Sequence, residues 1–321
     1  MKKKVLITIN PDIIKMRQFT TMRKFIRVMD QHFDLMVLPL DGYDFKRGLV
    51  RAYRRINGGR FRSLGLIEPR GDLWMVYSDG YYLNHGLCGF RLRRDYFNAQ
   101  IAFHEKQLRD GRVALMVNTP EAETRTLKSW FATLDFEKTR VIPTYTFCNI
   151  DDVHDFQKKE KAIVVKPVWG GAATEVQLLS GEQSVRSFDR KLKRRLDRDL
   201  SDYCFQLLCR GPEKRLWFAG GKFITGRKYG GKGVPWSGWT DPCPLTAYNK
   251  PSHKDFDRDV AAARKMTELS GISVGSVDFI GDRINEVNGA GTVMTEVNGG
   301  RIFTDARPAI VNYLLALTRS L

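Results

Sequence analysis

The 321-residue sequence is poor in several features, and each shortage removes a class of protein. Its five cysteines (Cys88, Cys148, Cys204, Cys209, Cys243) show no C-x-x-C spacing, which argues against a zinc ribbon or dithiol redox motif. Reduced thiols packed as small hydrophobes, in a cytoplasm, fit them better. The five histidines do not cluster, so no Ser/His/Asp or Cys/His nucleophile system is offered. No run approaches the ~18 apolar residues of a membrane span. The start, M-K-K-K-V-L-I-T-I-N, is basic, but its apolar core ends too soon for a secretory signal and reads as a strand. Helix-turn-helix, zinc-finger and RNP-type signatures are missing, so nucleic acid is not expected as a partner. The most informative shortage is of acid: no glutamate occurs before Glu68, and residues 1–118 hold 22 Lys/Arg against 11 Asp/Glu. Most of the formal charge of +17 therefore sits in the first third. Such a field attracts nucleotides, phosphorylated metabolites or acidic peptides.

What is present is an ordinary folded composition, 42% hydrophobic and 28% charged, in a chain long enough for two or three domains. Strands are read at 4–10, 35–40, 73–77 and 113–117, with helices at 16–31 and 97–109. That alternation predicts a parallel sheet in a doubly wound domain. The basic stretch 46–70 is read as a solvated loop or helix, or as an anion-facing lip. A helix over 121–134 carries Lys128. Strands follow at 140–145, 162–168, 175–179 and 203–208, with a charged helix at 183–200. Residues 214–228 read as a hairpin turning at Gly220-Gly221. The Gly/Pro-rich stretch 229–252 has the length of a lid or binding loop. An amphipathic helix at 255–270 closes at Gly271.

Three sets of residues carry chemistry. In the first, Lys166 lies inside a β-branched run, V-V-K-P, ahead of a loop containing Gly170, Gly171 and Ala172. A lysine is costly to bury unpaired, and flexible backbone N–H groups can wrap an anion. Lys128 offers a second cation. In the second, Gln206 ends an apolar strand, where it could face a purine edge or simply be a hydrogen-bonded strand residue. Arg215, Arg227 and Arg301 suit a bidentate grip on phosphate or carboxylate. In the third, Asp278 sits in a buried strand and is followed by two similar stretches, N-E-V-N-G and T-E-V-N-G. Glu296 and Asn298, two apart on a strand, leave one face together, and with Asp278 they give three hard oxygen ligands of the kind Mg²⁺ takes. Glu286 and Asn288 are the alternative. The reading favours Glu296 and Asn298, because T-V-M before them makes the better buried strand.

The order of these parts resembles the ATP-grasp superfamily of carboxylate–amine ligases, most nearly its glutathione synthetase-like and RimK-like branch. That resemblance implies an α/β fold with an α+β lid: an N-terminal doubly wound parallel-sheet domain (1–120), a central lid subdomain (121–208) and a C-terminal antiparallel-sheet subdomain (209–321). It implies ATP held by Lys128 and Lys166, by the loop with Gly170, Gly171 and Ala172, by Gln206, Leu207 and Leu208 at adenine, and by Glu213 at the ribose. Asp278, Glu296 and Asn298 would hold two Mg²⁺ ions, or Mn²⁺, and Arg215, Arg227 and Arg301 would act on the transferring phosphoryl. The implied reaction joins a carboxylate to an amine through an acyl phosphate, with ADP and phosphate released. A kinase-like phosphotransferase and a non-catalytic nucleotide- or polyanion-binding protein remain as alternatives. The glutathione synthetase pattern departs after E-x-N, where Gly299-Gly300-Arg301 follows, so glutathione is not indicated as product. Substrates are expected to be small molecules or peptides, with an acidic acceptor suggested by the basic first domain, and the protein to be a homo-oligomer.

Overall fold

The computed structural model describes residues 2–9, 14, 20–56, 60–76, 90–168, 175–194, 198–229, 245–248, 253–289, 297–298, 301–302 and 306–321. Gly170, Gly171 and Ala172, Glu296 with residues 292–296 of the strand expected over 292–298, and most of the 229–252 stretch lie outside them.

Three sheets draw on successive parts of the chain. The first has the order β3-β4-β2-β1-β6-β7, with β5 pairing β4. Its parallel part contains β1 (Lys4–Ile9), β2 (Asp34–Pro39), β6 (Gly71–Met75) and β7 (Val113–Val117). β1 and β2 share a burial pattern that is closed at five of six positions, as strands covered on both faces require. On one face lies α1 (Thr20–His32), whose Phe25, Ile26 and Met29 pack on Val5, Ile7 and Val37. On the other lies α2 (Phe90–Arg109), whose Phe103 packs on Leu6, Leu38 and Trp74. The doubly wound expectation therefore holds.

One part of that domain differs from the sequence reading. The basic stretch 46–70 is neither loop nor helix but two antiparallel strands, β4 (Leu49–Arg55) and β5 (Phe61–Ile67), with the short β3 (Tyr43–Asp44) beside β4. The physical reason is alternation: Val50 and Ala52 face the core while Arg51 points outward. Charge density hid a period-2 pattern.

The second sheet has the order β10-β9-β11-β8, built from β8 (Thr144–Tyr145), β9 (Ala162–Pro167), β10 (Gln177–Ser180) and β11 (Tyr203–Leu207). It is antiparallel throughout and backed by α3 (Ile150–Glu160) and α4 (Glu182–Lys193). Asn149 caps α3 by accepting from the Asp151 N–H, and such a cap contributes about 1 kcal/mol. The expected strand at 140–145 is mostly irregular. Val141 bridges Ile284, and only Thr144–Tyr145 joins the sheet.

The third sheet has the order β14-β13-β12-β15-β16. It comprises β12 (Glu213–Ala219), β13 (Lys222–Tyr229), β14 (Leu245–Ala247), β15 (Val274–Ile280) and β16 (Arg283–Asn288). Gly220 and Gly221 take positive φ at the β12–β13 turn, as their place in the sequence predicts. α5 (Phe256–Ser270) packs on this sheet and ends at Gly271, whose φ of 72° gives a left-handed cap. A two-stranded ribbon follows, β17 (Val297–Asn298) with β18 (Arg301–Ile302). The last helix, α6 (Arg307–Arg319), returns to the first domain, where Ile310, Val311 and Leu314 share the core of α1 and β1. Asn118 ties the first sheet to the third: its Oδ1 accepts from the Ser273 and Val274 N–H groups and its Nδ2 donates to Val274 O. No described helix is long and apolar enough to cross a membrane.

Candidate active site

The site forms where the second and third sheets meet. β15 is buried at all seven positions, yet Asp278 lies in its middle with 1% exposure. A lone carboxylate there would be prohibitive, so the sequence must supply a partner. β12 supplies Arg215, directly opposite Asp278. Arg215 Nε donates to Asp278 Oδ1 at 2.6 Å, and a terminal nitrogen donates to Oδ2.

On its other side β15 pairs with β16, and Asp278 falls opposite Glu286. The connection is a two-residue turn at Gly281-Asp282, with Gly281 at φ 61°. Asn288 stands two residues beyond Glu286, and its Nδ2 donates to Asp278 Oδ2 at 3.2 Å and Glu286 Oε1 at 3.4 Å. Two carboxylates and an amide thus converge. The ladder between β15 and β16 carries an irregularity after Asp278, so Asn285 is the extra residue on β16. Bulges redirect side chains. Here Asn285 Oδ1 accepts from Lys166 Nζ at 2.6 Å, which links the second sheet to the third.

The charges respond to one another. Burial pushes the Asp278 carboxyl up to about 6, against the pull of Arg215. Burial would also raise Glu286, but Lys128, Lys166 and Arg215 together overcome it and hold that carboxyl below its ordinary value. Burial lowers the Lys166 ammonium, with Glu286 opposing. Glu213, at the start of β12, is pushed up to about 7 by burial and then by the nearby Asp278. Burial, and then Arg215, lowers the Arg227 guanidinium to about 8. That guanidinium lies 4.1 Å from the Tyr229 ring centroid and 5.2 Å from that of Trp217. The cluster alternates in sign, with Arg215 and Arg227 beside Asp278 and Lys166 beside Glu286.

Lys128 does not sit on the continuous helix expected over 121–134. The chain forms a short helix, Pro120–Thr124, and then a 3₁₀ turn, Lys128–Thr133. The break still leaves Lys128 close enough to act on Glu286 and Lys166. Gln206 is buried, and its Nε2 donates to Thr144 Oγ1 at 3.0 Å, so its amide is engaged within the sheet. The Leu207 N–H donates to Pro143 O. Leu208 follows at the end of β11. Cys204 lies opposite Lys166 and is fully buried, in line with a packing role.

Both ends of the loop 169–174 are anchored to one turn. The Val168 N–H donates to Asp202 O at 2.8 Å, and Arg198 binds both Glu175 oxygens and Tyr203 Oη. Neither anchor is among the residues singled out from sequence, since the charged stretch 183–200 reads as a helix with a solvated face. Asn285 was missed for a different reason: a bulge is invisible in a hydrophobic pattern. Of the two E-x-N pairs, the structure brings Glu286 and Asn288 to Asp278. Asn298 and Arg301 lie on the β17–β18 ribbon, and their side chains are outside the described set. Among the described residues no three His, Cys, Asp or Glu side chains gather. The convergent oxygen set is therefore Asp278 and Glu286 with the Asn288 amide.

No protein-family model matches the sequence, and no curated protein does so at a significant level. The fold does match solved structures along its full length. The ATP-grasp ligase PsnB, complexed with a minimal precursor, superposes with a TM-score of 0.63 at 16% identity, covering 99% of this chain and 100% of that one. D-cycloserine synthetase DcsG gives 0.61 at 16%, covering 99% of each chain. D-alanine–D-alanine ligase from Bacillus anthracis gives 0.61 at 11%, again with 99% of each chain covered. PsnB has also been solved with Mg and ADP. The chain has the ATP-grasp fold.

Proposed function

We propose that the protein is an ATP-dependent carboxylate–amine ligase. The observation that carries this reading is the meeting of Lys166, from one sheet, with Asp278, Glu286 and Asn288 from the next, each charge tuned by the others. Three units of the chain serve it: 1–120 for the acceptor side, 121–208 as lid, and 209–321 as the metal-bearing part.

In this reading Lys128 and Lys166 neutralise ATP phosphates, and the anchored loop with Gly170, Gly171 and Ala172 wraps them. The backbone of Gln206, Leu207 and Leu208 borders adenine, and Glu213 reaches the ribose. Asp278, Glu286 and Asn288 are assigned to the metal in place of Glu296 and Asn298, because only the former set has a convergent geometry among the described residues. Their hard oxygens fit Mg²⁺, which when bound lowers the cost of bringing a carboxylate up to the anionic γ-phosphate. Arg215 holds Asp278 in place and, with Arg227 and Arg301, faces the charge that develops on the transferring phosphoryl.

A substrate carboxylate oxygen attacks the γ-phosphorus and ADP leaves, giving an acyl phosphate. An amine then attacks the acyl carbon, phosphate leaves, and the amine proton passes to solvent or phosphate. Closing the lid over this intermediate keeps it from water. The test is ADP and phosphate release with ATP, Mg²⁺ and pools of amino acids and peptides. Amine-dependent release with a mass gain equal to an amide supports the ligase. Phosphoryl transfer that ignores the amine removes it. A cytoplasmic enzyme acting on a peptide, acidic in part, is the form of this reading that the charge of the first domain favours.

A further inference from the structure

The Asn288 amide is held from two sides by residues given no part in the reading above. Asn288 ends β16, and its carbonyl oxygen lies over Gly275 of β15, where an added Cβ would meet it at 2.1 Å. One residue on, the fully buried Glu123 carboxylate lies against Gly289, whose Cβ would meet Oε1 at 2.9 Å and Oε2 at 3.4 Å. Glycine at such positions marks a close approach that any side chain would block. The Asn288–Gly289 peptide is thus gripped between β15 and a side chain from the linker that leaves the first domain.

That linker is itself fixed. β7 of the first sheet ends at Val117, and Asn118 follows it in the left-handed region at φ 59°. Its side chain is bonded to Ser273 and Val274, which lead directly into Gly275. Thr119 then accepts from the Ala122 N–H at 3.3 Å, and Pro120 opens the short helix Pro120–Thr124. Just beyond it, Arg125 donates to Leu269 O at 3.1 Å, near the end of α5. One short segment, 118–123, therefore meets β15 at its start and β16 at its end.

We propose that Asn118 and Glu123 are positioning residues through which the first domain sets the place of the Asn288 amide, with Gly275 and Gly289 as the surfaces they work against. The proposal rests on the ligase reading above, in which Asn288 serves the metal. Asp278 and Glu286 need no such help, since they face one another inside the ladder and Arg215 holds Asp278. Asn288 is where that ladder stops, opposite Ser276, so its place depends on what grips the strand end. A group displaced there by about 1 Å can lose up to about a hundredfold of its effect.

The experiment uses the full chain with Mn²⁺ as the probe, free Mn²⁺ being read by electron paramagnetic resonance in the presence of ADP. Gly275→Ala and Gly289→Ala press on the gripped peptide from either side, and Glu123→Asp draws the carboxylate back. Tyr43→Phe is the structural control, and melting curves confirm folding. Each glycine variant is expected to weaken Mn²⁺ binding about tenfold and Glu123→Asp about threefold, with Tyr43→Phe unchanged. ADP binding without a divalent ion is expected to stay at the wild-type level, which a general loosening of the fold would not allow. In the Gly289→Ala/Glu123→Asp double variant the withdrawn carboxylate makes room for the new methyl group, so most of the Gly289→Ala loss is recovered. Folded glycine variants with wild-type Mn²⁺ affinity overturn the proposal, and so do losses that simply add in the double variant. Should the glycine variants not fold, wild-type Mn²⁺ affinity in Glu123→Asp overturns it alone. Mn²⁺ bound by the wild type and lost in Glu286→Gln keeps the metal site whatever these variants do. A wild type that binds no Mn²⁺ removes the metal site and the proposal with it.

Discussion

Two buried polar clusters in this molecule have opposite characters. In the first domain Tyr43 Oη lies 2.9 Å from His104 Nε2 and 3.3 Å from Thr8 Oγ1, while Trp74 Nε1 donates to Thr8 Oγ1 at 2.8 Å. In the third sheet Arg215 and Asp278 are buried and Glu286 and Asn288 half-buried beside them. The first cluster is kept neutral: burial drives His104 down to about 3 and Tyr43 up to about 12, so neither ionises near pH 7. The second retains ions of both signs and borders the junction of two sheets. Burying polar groups is thus no mark of function by itself. Retaining charge of both signs where two sheets meet is the better pointer.

The strongest way to break that contrast is to neutralise a carboxylate at the seam. Glu286→Gln is expected to cut turnover about a thousandfold while leaving the fold intact, whereas Asp278→Asn strips buried Arg215 of its counter-charge and is expected to lose stability as well as turnover. Glu296→Gln is expected to remain within about threefold of wild type by the same assay, and the reverse pattern would return the metal to Glu296 and Asn298. Removing the cation that joins the sheets comes next. Lys166→Met should lower turnover about a hundredfold and weaken ATP binding in calorimetry, and Asn285→Ala should cost about tenfold through the loosened lysine.

A smaller effect is thermodynamic. Glu213 has a folded value near 7 against an ordinary value of 4.5, so the folded chain binds the extra proton between those limits. Stability should therefore fall as pH rises through that window. Glu213→Gln should flatten the curve by about 2 kcal/mol or less, given partial exposure, as read from denaturant midpoints between pH 5 and 7. The neutral cluster should give the least. Tyr43→Phe is expected to cost about 1 kcal/mol of stability and leave turnover unchanged.

Much of this was legible in the residues themselves. The alternation of strands and helices announces the first sheet, Gly220-Gly221 the β12–β13 hairpin of the third, and V-V-K-P the buried lysine. From sequence the choice between two E-x-N pairs favours 296 and 298, because T-V-M makes a buried strand before them and Arg301 follows; the described residues place Glu286 and Asn288 beside Asp278 and leave Glu296 outside them. D-R-I-N looked like a poor strand, yet the tight turn at Gly281-Asp282 and the pairing with an all-buried β15 make it a good one. The sequence suits Arg215 to a grip on phosphate or carboxylate, and that the carboxylate is Asp278 is visible only once β12 and β15 lie side by side. The β4–β5 pair was obscured by its arginines, whose aliphatic stems line a strand as readily as they coat a helix.

The return of α6 to the first sheet has a consequence for how the protein is made. Phe25 and Ile26 wait for Ile310 and Leu314, about 280 positions later, before their core is closed. On the ribosome the early strands would emerge long before that helix exists, with one apolar face of α1 and its sheet still open. A nascent chain halted before residue 306 should accordingly be a good client for chaperones that bind exposed aliphatic surface, and one released after residue 319 should escape them.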